Sequence, residues 1–79
     1  MKVNVRYFAL FREQAACASE VVDFPGGTAK ELFQLMTVKH PSLSTQAAAL
    51  VAVNDDMSAW DQAINENDEV LFFPPVAGG

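Results

Sequence analysis

The chain is poor in the side chains from which most catalytic sites are built. One cysteine, Cys17, and one histidine, His40, stand among 79 residues. A single thiol excludes an internal disulfide and points to a reducing, intracellular compartment. Cys17 lies in an alanine-rich stretch with no histidine near it in sequence, the setting of a small buried hydrophobe rather than a nucleophile. With no second cysteine and no histidine cluster, the sequence offers no zinc site. No glycine-rich loop leads into a helix with a following lysine, so nothing indicates nucleotide binding.

Basic charge is scarce as well. Five Lys and Arg against ten Asp and Glu give a net charge of −5, and the five are scattered. Nucleic-acid binding needs clustered Lys and Arg to displace counterions, so no nucleic-acid partner is expected. A mildly acidic surface suits encounter with a basic protein. No run approaches the roughly 20 apolar residues of a membrane span. The start, Met1 to Arg6, lacks the continuous apolar region of a signal peptide. The expectation is a cytoplasmic protein with no membrane partner.

What is present is a hydrophobic fraction of 51%, enough for one compact core. Lys2 to Leu10 alternates as a strand, with Val3, Val5, Tyr7 and Ala9 on one face and Lys2, Asn4, Arg6 and Phe8 on the other. Phe11 to Ala18 is rich in helix formers. Ser19 to Phe24 reads as a second strand, ended by Pro25-Gly26-Gly27. Thr28 and Glu31 form a capping box that opens the main helix. Ala29, Leu32, Phe33, Met36 and His40 follow at helical spacing, and Pro41 stops it. His40 at that end interacts with the last carbonyls.

Pro41 to Gln46 reads as irregular. Ala49 to Val53 is a short apolar strand followed by the turn Asn54-Asp55-Asp56. Met57 to Trp60 is a short edge strand, Asp61 to Glu69 a polar connection, and Val70 to Phe73 the last strand. The acids at Asp55, Asp56 and Asp61, and at Glu66, Asp68 and Glu69, read as solvated turns, since hard-cation loops need regularly spaced oxygens and a turn glycine. One helix across one face of a mixed sheet would bury Leu32, Phe33 and Met36 against Val3, Val5, Val70 and Phe72. This is an α+β fold. If the first and last strands pair at the centre of the sheet, it is a β-grasp, the ubiquitin-like architecture.

The ending carries the strongest signal. Pro74 and Pro75 cannot donate to a sheet ladder, so the strand must stop there. The division expected is a folded domain over 1–74 and an extended tail over 75–79. Prolines favour an extended, stiff backbone, so Pro75 to Gly79 would project about 15 Å from the fold. Gly78 and Gly79 have no side chain to block a narrow channel, which suits a terminal carboxylate that a partner enzyme activates. Alternation places Val70 and Phe72 on the helix side and Leu71 and Phe73 outward, as Phe8 is. With Pro74 beside the tail's base, those residues make an apolar patch of the kind that marks a docking surface. The competing arrangement has the loop with Trp60 folded over Phe8 and Phe73.

The run Asp68-Glu69-Val70-Leu71-Phe72-Phe73-Pro74-Pro75-Val76-Ala77-Gly78-Gly79 closely resembles the small subunit of molybdopterin synthase, a ubiquitin-like β-grasp sulfur-carrier family. Tyr7 to Glu13 and Val51 to Asn54 are similar to that family too. One departure is Asn67, where many relatives carry glycine, and asparagine also tolerates positive φ. The resemblance implies a carrier with no catalytic residues and no bound cofactor of its own. An adenylyltransferase similar to ubiquitin-activating enzymes would consume ATP to adenylate the Gly79 carboxylate. A persulfide enzyme would then supply sulfur to make a thiocarboxylate. The tail, Pro75, Val76, Ala77 and Gly78, would insert into the large subunit of a heterotetramer, with Phe8, Leu71, Phe73 and Pro74 docking outside. There two such sulfurs would build the dithiolene of molybdopterin from a cyclic pyranopterin phosphate. Alternatives are a sulfur carrier for thiamine thiazole or tRNA thiolation, a ubiquitin-like modifier of lysines, and an interaction module with an inert tail.

Overall fold

A computed structural model describes residues 1–43 and 49–75. The first strand, β1 (Lys2–Tyr7), buries Val3, Val5 and Tyr7 and exposes the residues between them, as alternation dictates. It stops three residues short of the expected Leu10. Ala9 takes φ 53 and ψ −127 and swings the chain out of the sheet, so Ala9 is exposed rather than part of the core. The helix α1 (Leu10–Ala15) is shorter than the expected Phe11–Ala18. Ala16 adopts the left-handed conformation, φ 60 and ψ 23, and its N–H bonds Glu13 O, closing the last turn. Cys17 therefore lies beyond the helix, half-buried, and not inside it.

Next come β2 (Ser19–Asp23) and the two-residue β3 (Gly27–Thr28). The main helix α2 (Ala29–Lys39) begins with the expected capping box: Glu31 N–H donates to Thr28 Oγ1 and Thr28 N–H to Glu31 Oε1. Ala29, Leu32 and Met36 are buried along one stripe. His40 is the C-cap, its N–H bonded to Met36 O, and Pro41 disfavours a further helical residue before it.

The remaining strands are β4 (Leu50–Val53), β5 (Asp56–Ser58), β6 (Ala63–Ile64) and β7 (Glu69–Phe73). Val53 pairs with Asp56 across Asn54 and Asp55, both at positive φ, the backbone a two-residue hairpin needs. The edge strand expected at Met57 to Trp60 thus starts at Asp56 and ends at Ser58. The polar connection hides β6, which pairs antiparallel with β3 and carries Ile64 into the core. Asn67 takes φ 67, as its asparagine allows.

The main sheet has the order β2-β1-β7-β4-β5. β1 and β7 pair in parallel with Val5 beside Val70 and Tyr7 beside Phe72, while β2–β1, β7–β4 and β4–β5 are antiparallel. First and last strands together at the centre, with one helix on one face, make this an α+β β-grasp. Val3, Val5, Leu32, Met36, Val70 and Phe72 are fully buried in one cluster. Phe33, expected in that core, is half-buried in an aromatic group instead, 4.8 Å from Phe72, 5.5 Å from Trp60 and 5.8 Å from Phe11 between ring centroids.

Candidate functional site

The face of the sheet opposite α2 is apolar across its middle. Leu71 and Phe73 point to it from β7, because Val70 and Phe72 take the core side. Register adds what alternation alone could not. Leu50 lies beside Phe73, and Ala52 lies between Leu71 and Met57. Met57 is 64% exposed and Leu50 36%. At the β1 side, Phe8 N–H donates to Phe72 O, which sets Phe8 level with the end of β7, its ring 61% exposed. These residues form a contiguous, partly exposed apolar surface. Its border is polar: Arg6 bonds Glu69 at 3.2 Å beside Asn4.

Trp60 does not cover this surface. It stacks on the core residue Phe72 at 6.0 Å with an interplanar angle of 6° and touches Phe33 of α2, so it belongs to the helix side. Phe8, Leu71 and Phe73 are brought together as expected, and Pro74 stands half-buried beside them with Pro75 exposed. β7 ends at Phe73, where the two prolines begin. Val76, Ala77, Gly78 and Gly79 lie outside the described residues. Leu50 and Met57 were missed, although Leu50 alternates with Val51 in sequence. Only the register of β4 and β5 places them next to Leu71 and Phe73.

A second cluster lies on the helix side of β2. Glu20 Oε2 accepts from Tyr7 OH at 2.7 Å and lies 2.6 Å from His40 Nε2, and Oε1 accepts from Lys39 Nζ. Cys17 Sγ is 3.8 Å away. The His40 ring thus engages Glu20 and meets Tyr7 edge-on at 5.8 Å, rather than the helix carbonyls. Burial alone would raise the Glu20 pKa, but hydrogen bonds from Lys39, Tyr7 and His40 outweigh it and hold it at about 2. Burial and the Glu20 carboxylate push the Tyr7 hydroxyl well above its ordinary range, and they raise the Cys17 thiol too.

Cys17, Glu20 and His40 bring potential ligand atoms within 4.8 Å of one another, a group that sequence spacing did not foretell. Both Glu20 oxygens are already engaged, one by an ammonium group, and burial with the neighbouring carboxylate raises the Cys17 thiol. Through Glu20, these bonds tie Tyr7 of β1 and β2 to Lys39 and His40 at the end of α2. The cluster is a structural clamp. The acids before β7 are likewise less free than a solvated turn: Glu66 accepts from Lys2 N–H, and Asp68 from Asn54 Nδ2 and Asn65 N–H. Among the described residues no helix is long and apolar enough to cross a membrane.

Comparison with known proteins agrees with this layout. The ThiS family matches residues 5–79. The molybdopterin synthase sulfur carrier subunit of Escherichia coli is 37% identical, with 98% of this chain and 99% of that protein covered. The protein of the same name from Mycobacterium tuberculosis is 36% identical, over 100% and 99%. Among solved structures, SAMP1 from Haloferax volcanii superposes with a TM-score of 0.86 at 26% identity, covering all of both chains. The chain belongs to the ThiS family, and its curated relatives are sulfur carrier subunits of molybdopterin synthase.

Proposed function

We propose that the chain is the sulfur carrier subunit of a molybdopterin synthase, with Gly79 as the covalent site. The observation that carries this reading is the full-length match to the two bacterial carrier subunits. The apolar face fits it, since Phe8, Leu71, Phe73 and Pro74 lie where β7 ends and runs into Pro75. In this reading the folded domain over 1–74 is the handle and 75–79 the working arm. Pro75 aims the arm, Val76 and Ala77 line the channel it enters, and Gly78 gives clearance.

A free carboxylate is a poor electrophile, so activation must come first. A Gly79 carboxylate oxygen attacks the α-phosphate of ATP on an adenylyltransferase, and pyrophosphate leaves. The terminal sulfur of a partner persulfide attacks the acyl carbon, and AMP leaves. A thiol then reduces the resulting acyl disulfide, releasing the thiocarboxylate and a protein disulfide. The charged arm enters the large subunit, which supplies the catalytic groups that move sulfur to the pterin precursor. This division of labour accounts for a chain with so few catalytic side chains of its own.

The likeness to SAMP1, a small archaeal modifier protein, favours a second reading, a protein modifier joined to lysines. Intact mass separates the two after incubation with ATP, the activating enzyme and a sulfur donor. Exchange of one oxygen for sulfur at Gly79, lost on deleting Gly79 with the fold unchanged, is the expected result. Lysine-linked adducts without exchange would overturn it.

A further inference from the structure

We propose that the outer edge of β2 pairs with the same edge of a second copy of this chain, forming a twofold dimer with Val21 at its centre. β2 is one of the two edges of the main sheet. Just beyond its two ends the ladder to β1 is bonded, with Tyr7 N–H donating to Ala18 O and Phe24 N–H to Met1 O. Bonded pairs alternate along an antiparallel ladder. The N–H and C=O groups of Ser19, Val21 and Asp23 therefore face away from β1, along an edge that no described strand occupies.

This edge lacks the guards that keep edge strands apart. β2 contains no Lys, Pro or Gly, and its two acids are already neutralised, Glu20 by Lys39 and Asp23 by Lys2. The opposite edge, β5, is only three residues long. Val21 at the middle of β2 is 62% exposed. Beside the edge runs a groove of about 350 Å³, lined by the apolar Val22, Leu35, Met36 and Val38 together with the charged Lys2, Asp23 and Lys39. Val38 there is 77% exposed and Leu35 36%.

The occupant follows from the order of charges. Antiparallel pairing about Val21 sets Ser19 opposite Asp23 of the second copy, with Val21 opposite Val21. On the open face Arg6 lies beside Ser19, and Lys2 beside Asp23. The row across the new junction then reads Arg6, Ser19, Asp23 of the second copy, Lys2 of the second copy. Each Asp23 sits between two cations across a small hydroxyl, and the twofold repeats the row. The dyad runs perpendicular to the sheet, so both α2 helices lie on one side and Leu35 and Val38 face their counterparts. The face carrying Phe8, Leu71 and Phe73 stays open on both copies.

Sedimentation of the full chain tests this. The expected result is a concentration-dependent dimer below about 1 mM, weakened about tenfold or more by Val21→Lys, which sets like charges opposite each other. In a Cys17→Ser background, Val21→Cys should cross-link to itself under mild oxidation, because facing hydrogen-bonded residues have Cα atoms about 5.5 Å apart, within disulfide range. Ser19→Cys should link only to a chain carrying Asp23→Cys. A chain that stays monomeric at about 1 mM overturns the proposal and leaves the edge to a strand of another protein. A dimer indifferent to Val21→Lys, or one cross-linked through other positions, overturns it as well.

Discussion

Replacing Glu20 by glutamine should destabilise the chain in a strongly pH-dependent way. The carboxylate has an ordinary pKa of 4.5 and is held at about 2 in the folded chain. Fully expressed, a depression of that size corresponds to about 3 kcal/mol. The site lies at the edge of the core, with the Glu20 side chain 15% exposed and Lys39 50%, so solvent screening reduces this to about 1–2 kcal/mol. Because the folded pKa lies below the unfolded one, the stabilisation is present above about 4.5 and is lost as pH falls towards about 2. Glutamine keeps the size and an acceptor for Tyr7 OH but removes the charge facing Lys39. Urea denaturation followed by the single tryptophan, Trp60, reads the effect, since that ring stacks on Phe72 in the core. In a domain of this size the loss at neutral pH is a melting temperature lower by about 4–15 °C. Wild-type and variant stabilities should converge as the solution is acidified through that window, while the other carboxylates titrate alike in both. A difference that is the same at low and neutral pH would refute the clamp as an electrostatic device. A difference below about 0.5 kcal/mol at neutral pH would make Glu20 an ordinary surface acid.

Two further outcomes test the core and the docking face. Phe72→Ala removes a fully buried ring at the meeting point of Phe33 and Trp60, and should cost about 3–5 kcal/mol. Its signature is a collapse of the urea midpoint together with a changed Trp60 emission spectrum; a loss of unfolding free energy under about 1 kcal/mol would place the ring outside the cooperative core. Phe73→Asp should leave the melting temperature nearly unchanged and lower affinity for the large synthase subunit at least tenfold, because an unpaired charge would enter an apolar contact. Calorimetric titration showing wild-type affinity would remove Phe73 from the interface.

How far sequence reasoning reached depends on the range of each interaction. The ending was legible because proline's missing N–H and glycine's missing side chain act locally, and β7 does end at Phe73 where the prolines begin. The capping box of Thr28 and Glu31 is local too, and it formed. β3 and β6 were invisible, since two residues on each strand show no periodicity, and their ladder joins positions from Gly27 to Ile64. The stop of β1 was missed for another reason. Alternation continues through Ala9, and only the positive φ of Ala9 breaks it.

The clamp is the clearest case of what a chain cannot announce. Glu20 meets Tyr7 and His40, 13 and 20 positions away, and each residue alone has a bland reading. Once assembled, the clamp and the proposed docking face separate cleanly. Glu20 pairs with Val5 and so lies on the helix side of the sheet, while Phe8, Leu71 and Phe73 lie on the other. Substitutions at Glu20 should therefore move stability without moving affinity, and substitutions at Phe73 the reverse. A sheet one strand thick lets a small domain keep its folding determinants on one face and an exposed apolar surface on the other, and that arrangement makes both proposed roles testable one residue at a time.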